Sequence, residues 1–253
     1  MDKRIVFVTG AGRGSGEAIA RRFLSEGAVV AASDLKKPEW DAGEYEDKLL
    51  RYELDVSDED AVRRVIADVN AKTEGINVLV NNAGAAKPDC PIADETKDSL
   101  ERLFRINLEG VFFTVREVAG YLQKNKKAGA IINIASVAGK NGFPKSSLYA
   151  ATKAAVIGFT RCLAAELGPD DITVNAICPG SVDTPMLAGV IDGIARRTGM
   201  SFEEAKKMMA SGIPMQRLQT PDDVAALCLF LASDGARNIS GESMNLDGGS
   251  VRD

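Results

Sequence analysis

Arg4-Ile5-Val6-Phe7-Val8-Thr9-Gly10-Ala11-Gly12-Arg13-Gly14-Ser15-Gly16 is a short apolar run that breaks into a glycine-rich turn. Successive apolar residues without polar alternation predict a strand covered on both faces. Glycines after such a strand let the backbone turn tightly and let a phosphate approach it. Residues 16–26 then read as a helix, whose N-terminus offers free N–H groups and the positive end of its dipole. Strand, glycine turn and helix in this order predict the first unit of an α/β sheet with an anion cradle at its carboxyl end.

The theme repeats along the chain. Apolar runs at 29–33, 50–56, 78–81, 130–136, 173–178 and 243–246 alternate with helical patterns at 58–72, 96–124, 147–167 and 221–232. Alternating strands and helices predict one doubly wound, seven-stranded parallel sheet with helices on both faces. No low-complexity linker or repeat divides residues 1–253, so a single domain is expected. Two regions break the pattern. Residues 85–95 form a loop with Pro88 and Pro91, and residues 183–214 form a long insertion with helical character at 187–198 and 201–211. An excursion beside the carboxyl ends of strands is where a substrate lid lies, and a surface helical hairpin is the alternative.

Composition excludes several classes of function. Of the 253 residues, 45% are hydrophobic and 26% charged, which is ordinary for a globular chain. The net charge is −5 and the basic pairs Lys36-Lys37, Arg196-Arg197 and Lys206-Lys207 are isolated, so no nucleic-acid surface is expected. There is no histidine, which excludes Ser-His-Asp and Cys-His catalysis and any zinc site built on imidazole; no metal is expected. Cys90, Cys162, Cys178 and Cys228 form no C-x-x-C and suit a reducing compartment. The apolar run 5–8 is too short for a signal peptide, and no segment reaches the ~20 apolar residues of a membrane span. A soluble cytoplasmic protein without a membrane partner is expected.

Tyr149 and Lys153 are the chief chemical candidates. On a helix, residues i and i+4 share a face, so the ammonium stands beside the phenol. A neighbouring cation favours phenolate, and a drop of about three pKa units amounts to roughly 4 kcal/mol. That brings a tyrosine into acid/base range near neutrality. The plainer alternative is a core tyrosine with a snorkelling lysine. Asp34 closes the second strand eighteen residues after Gly16, where a carboxylate accepts hydrogen bonds from adenosine ribose hydroxyls and repels a 2′-phosphate. It favours NAD. Arg13 pulls toward NADP, since its guanidinium can pair with that phosphate. Asn107 falls on the apolar face marked by Phe104, Val111, Val115, Val118 and Leu122. A buried amide there is either a satisfied structural group, holding a kink, or places a water in a proton path.

These motifs together resemble the short-chain dehydrogenase/reductase family over essentially the whole chain. They comprise the turn 9–16, Asp55-Val56, Asn81-Asn82-Ala83-Gly84, Asn107, Ser136, Tyr149 with Lys153, Pro179-Gly180-Ser181-Val182-Asp183-Thr184 and Asn245-Leu246-Asp247-Gly248-Gly249, in family order and spacing. Ser15 departs from the pattern, which usually has an apolar residue there.

The resemblance implies a Rossmann fold and a role for each position. Gly10, Arg13, Gly14, Ser15, Gly16 and Asp34 would line the dinucleotide. Asp55 and Val56 would contact adenine, and Asn82, Ala83 and Gly84 would border the adenosine. Pro179, Gly180, Val182 and Thr184 would hold the nicotinamide end. Tyr149 would be the acid/base. Lys153 would bond the nicotinamide ribose and depress the tyrosine pKa. Ser136 would bond the substrate oxygen, and Asn107 would anchor a water-linked proton relay. The resemblance also implies a homodimer or homotetramer formed through helices 96–124 and 147–167.

The substrate is less legible. Pocket candidates are Ala86, Ala138, Lys140, Asn141, Phe143, Ser181 and Met186, and Lys87, Lys140 and Lys145 either pair with an anionic substrate or face solvent. The expected reaction is NAD-dependent interconversion of a secondary alcohol and a ketone or aldehyde on a small polyol, sugar or hydroxy acid. The alternatives are an NADPH-dependent 3-oxoacyl-thioester reductase and a dinucleotide-binding regulator without turnover.

Overall fold

Seven strands line up in one parallel sheet, in the order β3-β2-β1-β4-β5-β6-β7. The computed structural model describes residues 4–86 and 90–251. The strands are β1 (Ile5–Thr9), β2 (Val29–Asp34), β3 (Leu49–Glu53), β4 (Val78–Asn81), β5 (Gly129–Ile134), β6 (Ile172–Pro179) and β7 (Ser243–Leu246). Every residue of β1 and β4 is buried, which is why those runs show no polar alternation. The edge strands β3 and β7 are only partly covered.

Helices cover both faces. On one side α2 (Glu59–Lys72), α4 (Gly110–Asn125) and α5 (Ser147–Leu167) pack Val62, Ile66, Val115, Leu122 and Val156 against Phe7, Leu79 and Ile131. On the other, α1 (Gly14–Ser25) and α8 (Pro221–Leu231) pack Ile19, Phe23, Val224 and Leu231 against Val6, Val8, Val80 and Ile132. The strand order reverses between β1 and β4. A doubly wound sheet opens its binding crevice at that point, outside the carboxyl ends of the strands.

Three local departures from expectation have physical causes. The helix expected over 96–124 is α3 (Lys97–Phe104) joined to α4 by a π-helical turn, Arg105–Glu109, centred on Asn107. The third strand stops at Glu53, since Asp55 Oδ1 accepts from the amide and hydroxyl of Ser57 and turns the chain toward α2. The fifth strand stops at Ile134, and Ser136 instead starts a short 3₁₀ turn, Val137–Gly139.

The insertion after β6 is a pair of helices, α6 (Pro185–Thr198) and α7 (Phe202–Ser211). Thr184 caps α6 with Pro185 in its first turn, and Gly199 ends it at φ 73°. Ser201 and Glu204 form a capping box at the start of α7. Among the described residues no helix is long and apolar enough to cross a membrane.

Candidate active site

The nucleotide turn is held by the next motif along the crevice. Asn82 Nδ2 donates to the carbonyls of Thr9 (3.1 Å) and Gly10 (2.9 Å). Thr9 Oγ1 accepts from the amides of Asn82 (3.1 Å) and Ala83 (3.0 Å). Helix α1 enters so closely that a methyl group on Gly16 would lie 2.0 Å from Gly10 O. No residue but glycine fits there, so the helix N-terminus is brought onto the turn. Asp34 sits beside it, its carboxylate accepting from the amides of Gly12 (2.8 Å) and Leu35 (2.7 Å). Arg13 is exposed at the head of α1. Thr184, at the nicotinamide end in the expected pose, stands across the crevice from Gly14, where a methyl group would lie 3.4 Å from Thr184 Cγ2. A backbone cradle at a helix N-terminus, with a carboxylate beside it and Thr184 across the crevice, fits a nicotinamide dinucleotide.

The candidate acid/base cluster is assembled from the turn after β5 and from α5. Ser136, buried two residues beyond the end of β5, accepts from Ala138 N (3.1 Å), and its hydroxyl favours the Tyr149 phenolate. Lys153, 5% exposed, places its Nζ 5.8 Å from the Tyr149 ring centroid and donates to the carbonyl of Ile134 (2.8 Å). Gly84 lies between Lys153 and Asn107: a methyl group there would be 3.6 Å from Lys153 Nζ and 3.4 Å from Asn107 Oδ1. The cluster therefore joins four motifs that are far apart in sequence.

Electrostatics correct one expectation. The Tyr149 phenol lies above its ordinary value: burial is the largest cause, the Ser136 hydrogen bond opposes it, and the nearby Cys178 thiol adds to the rise. Lys153 is not among the groups that lower it. The reason is that its ammonium turns to the Ile134 carbonyl and is itself brought down to about 8 by burial, against a weaker pull from Cys178. The hydroxyl of Ser136 favours phenolate in this structure.

Asn107 is satisfied within the protein. Its two amide N–H groups donate to Ala85 O (2.9 Å) and Thr152 Oγ1 (3.0 Å), and its Oδ1 accepts from Ala85 N (2.7 Å). Thr152 in turn donates to Tyr149 O at 2.8 Å. The amide holds a π turn, so the reading as a satisfied group at an irregular turn matches the structure. A water relay cannot draw on its side-chain donors, because both are already spent.

The remaining candidates scatter. Val56 is buried and Asp55 exposed at the start of the β3–α2 connection. Gly180 N donates to Leu246 O (3.0 Å), while Ser181 O and Asp183 N pair with the backbone of Gln219 at 3.0 and 2.8 Å, fixing the strand exit that carries Pro179, Val182 and Thr184. Ala138 is half-buried and Asn141 and Phe143 exposed on the turn after Ser136; Met186 is exposed in the first turn of α6. Lys140 is half-buried, and its Nζ donates to Ser243 O. Lys145 is exposed with φ 63°, and its carbonyl accepts from Cys90 N (3.1 Å). Lys87 lies outside the described residues. Sequence reasoning did not single out Thr152, Gln219 or the Ile134 carbonyl. Thr152 stands one residue before Lys153, but its partner is 45 residues away in sequence, and a main-chain carbonyl leaves no compositional signal.

Comparison with known proteins agrees with this geometry. A family model described as enoyl-(acyl carrier protein) reductase matches residues 10–250. A 3-oxoacyl-[acyl-carrier-protein] reductase of Thermotoga maritima is 36% identical, with 99% of each chain covered. Galactitol 2-dehydrogenase of Agrobacterium fabrum is also 36% identical, with 98% of each covered. The solved structure of a variant actinorhodin polyketide ketoreductase with NADPH superposes with a TM-score of 0.90 at 32% identity, covering 98% of this chain and 97% of that one. With its parallel sheet, its dinucleotide crevice and its Ser136–Tyr149–Lys153 cluster, the chain belongs to the short-chain dehydrogenase/reductase family of oxidoreductases that act on alcohol groups with a nicotinamide dinucleotide.

Proposed function

We propose that this protein is an NAD-dependent dehydrogenase that interconverts a secondary alcohol and its ketone or aldehyde on a small polyol, sugar or hydroxy acid. The observation that carries the reading is buried Lys153 with its Nζ 5.8 Å from the Tyr149 ring centroid, on the helix that follows Ser136. Tyr149 as phenolate takes the hydroxyl proton of the alcohol, and Ser136 steadies the same oxygen by hydrogen bonding. When bound, the nicotinamide ring supplies the carbon that accepts the hydride. Lys153 holds the ribose edge, and Asn107 acts through Ala85 and Thr152 to place α5. Residues 183–214 form the substrate lid, tied to its own base where Lys206 donates to Asp183 Oδ2 at 2.7 Å.

Asp34, aimed at the ribose position beside the turn, supports NAD over NADP. Galactitol 2-dehydrogenase among the relatives supports a polyol. Exposed Leu100 and Phe112, the latter tilted against Phe159 with ring centroids 6.4 Å apart, support a homodimer or homotetramer through the faces of α3, α4 and α5. Four free cysteines suit the cytoplasm.

A second reading, an NADPH-dependent 3-oxoacyl-thioester reductase, is supported by the Thermotoga relative. A panel of polyols, sugars and hydroxy acids with NAD⁺, run beside 3-oxoacyl thioesters with NADPH, separates the two. Turnover of an alcohol with NAD⁺, lost by at least a hundredfold in Tyr149→Phe while NADH still binds, is the expected result. Turnover of thioesters with NADPH alone replaces the first reading by the second.

A further inference from the structure

The one tryptophan of the chain, Trp40, lies on the connection between β2 and β3. Its indole Nε1 donates to the carbonyl of Ala11 at 2.8 Å. The peptide unit that carries this carbonyl also carries the N–H of Gly12, which donates to Asp34 Oδ2 at 2.8 Å. One planar peptide is therefore gripped at both ends, by an indole on one side and by the ribose-facing carboxylate on the other. A peptide rotates as a unit, so releasing its carbonyl frees its N–H to turn away from Asp34.

The fit on the Asp34 side is tight. A methyl group on Gly12 would lie 2.8 Å from Asp34 Oδ2, so the carboxylate can sit here only because residue 12 has no side chain. On the other side the indole is fixed as well. The Arg21 guanidinium lies 4.5 Å and that of Arg51 5.8 Å from the ring centroid. Arg51 also donates to Trp40 O (3.0 Å), and Arg21 to Asp41 O (2.7 Å). Side chains from α1 and β3 thus hold a loop residue in place as a rigid brace.

We propose that Trp40 is a positioning residue of the dinucleotide site: through the peptide joining Ala11 to Gly12 it holds the Asp34 carboxylate in the orientation that receives the adenosine ribose. The proposal rests on the reading of residues 9–16 and Asp34 as the dinucleotide end. Trp40 touches no reacting atom, so its influence falls on cofactor affinity and preference and leaves the chemical step alone.

Trp40→Phe removes the indole donor and keeps an aromatic ring beneath Arg21. Titration with NADH, followed by calorimetry, should show the Kd rising about five- to tenfold, the loss of one hydrogen bond. At saturating dinucleotide kcat and the alcohol KM should stay within about twofold. In an Asp34→Ala background the same change should add less than about twofold, because both variants act through one contact. Arg21→Ala loosens the loop but leaves the indole bond, and should hardly move the Kd. The wild-type protein gives an independent reading: emission from its single tryptophan should change on titration with ADP-ribose. An unchanged Kd in Trp40→Phe, equal weakening by Arg21→Ala, additive losses with Asp34→Ala or a silent tryptophan each overturn the proposal. If the wild type binds neither NADH nor NADPH, the functional reading itself falls, and this inference with it.

Discussion

Lys153→Met tests what it costs this fold to bury its lysine. Lys153 is 5% exposed, and its pKa is lowered from 10.5 to about 8, with desolvation as the largest cause. At pH 7 the lysine is charged in both the folded and unfolded states, and the folded state bears the full penalty of the buried ammonium. A shift from 10.5 to about 8 corresponds to about 3 kcal/mol at 1.36 kcal/mol per pKa unit. Between about 8 and 10.5 the unfolded chain still binds a proton that the folded protein has released. Stability rises with pH wherever the unfolded state holds more protons, so the penalty fades as pH climbs through this window. Methionine matches the length of the chain without the charge, but leaves the Ile134 carbonyl without its donor, at a cost of about 1–3 kcal/mol. That second cost does not depend on pH. The quantity to measure is therefore the difference in urea unfolding free energy between wild type and Lys153→Met, from pH 7 to pH 10, without dinucleotide and at one fixed protein concentration. Wild type should gain on the variant by about 2 kcal/mol over that range. A flat difference across those pH values would refute the claim that burial strains this lysine.

Two further changes test neighbouring contacts. Ser136→Ala removes a group that favours the Tyr149 phenolate, so the phenol rises further above its ordinary value. Alcohol oxidation needs phenolate, so the acid limb of its kcat/KM profile should move to higher pH, with a loss of about a hundredfold near neutrality; an unmoved limb would place Ser136 outside the acid/base system. Asn107→Ala leaves the buried amide and carbonyl of Ala85 and the hydroxyl of Thr152 without this partner. The expected loss is about 2–4 kcal/mol in urea unfolding, together with lower kcat, and a loss below about 1 kcal/mol would mean that water replaces the amide.

Much of this molecule was written in local chemistry. An apolar run followed by glycines and a helix dictates how β1 meets α1, because only glycine survives the approach of Gly16 to Gly10 O. Tyr149 and Lys153 share a face because both lie on α5 and are four residues apart. Caps such as Thr184 with Pro185, and Ser201 with Glu204, mark the helices of the insertion in the sequence itself. These features depend on neighbours along the chain, so a linear reading reaches them.

What the linear reading could not reach were the consequences of burial and of long-range contact. Lys153 was expected to lower the tyrosine pKa, yet its ammonium turns to the Ile134 carbonyl, and desolvation moves both groups toward neutrality. Lys140 bonds the backbone of β7, 103 residues away, a contact that no local pattern announces. Trp40 carried no motif at all until the fold laid it on the Ala11 carbonyl. The sequence by itself determined the strand–turn–helix units, the glycine turn and the shared helix face of Tyr149 and Lys153, since these follow from covalent spacing. Only the tertiary structure decided how each titratable group is tuned and which side chains hold Asp34 and Tyr149 in place. Dielectric, hydrogen-bond partner and orientation are properties of the packed interior and have no value in the chain before it folds.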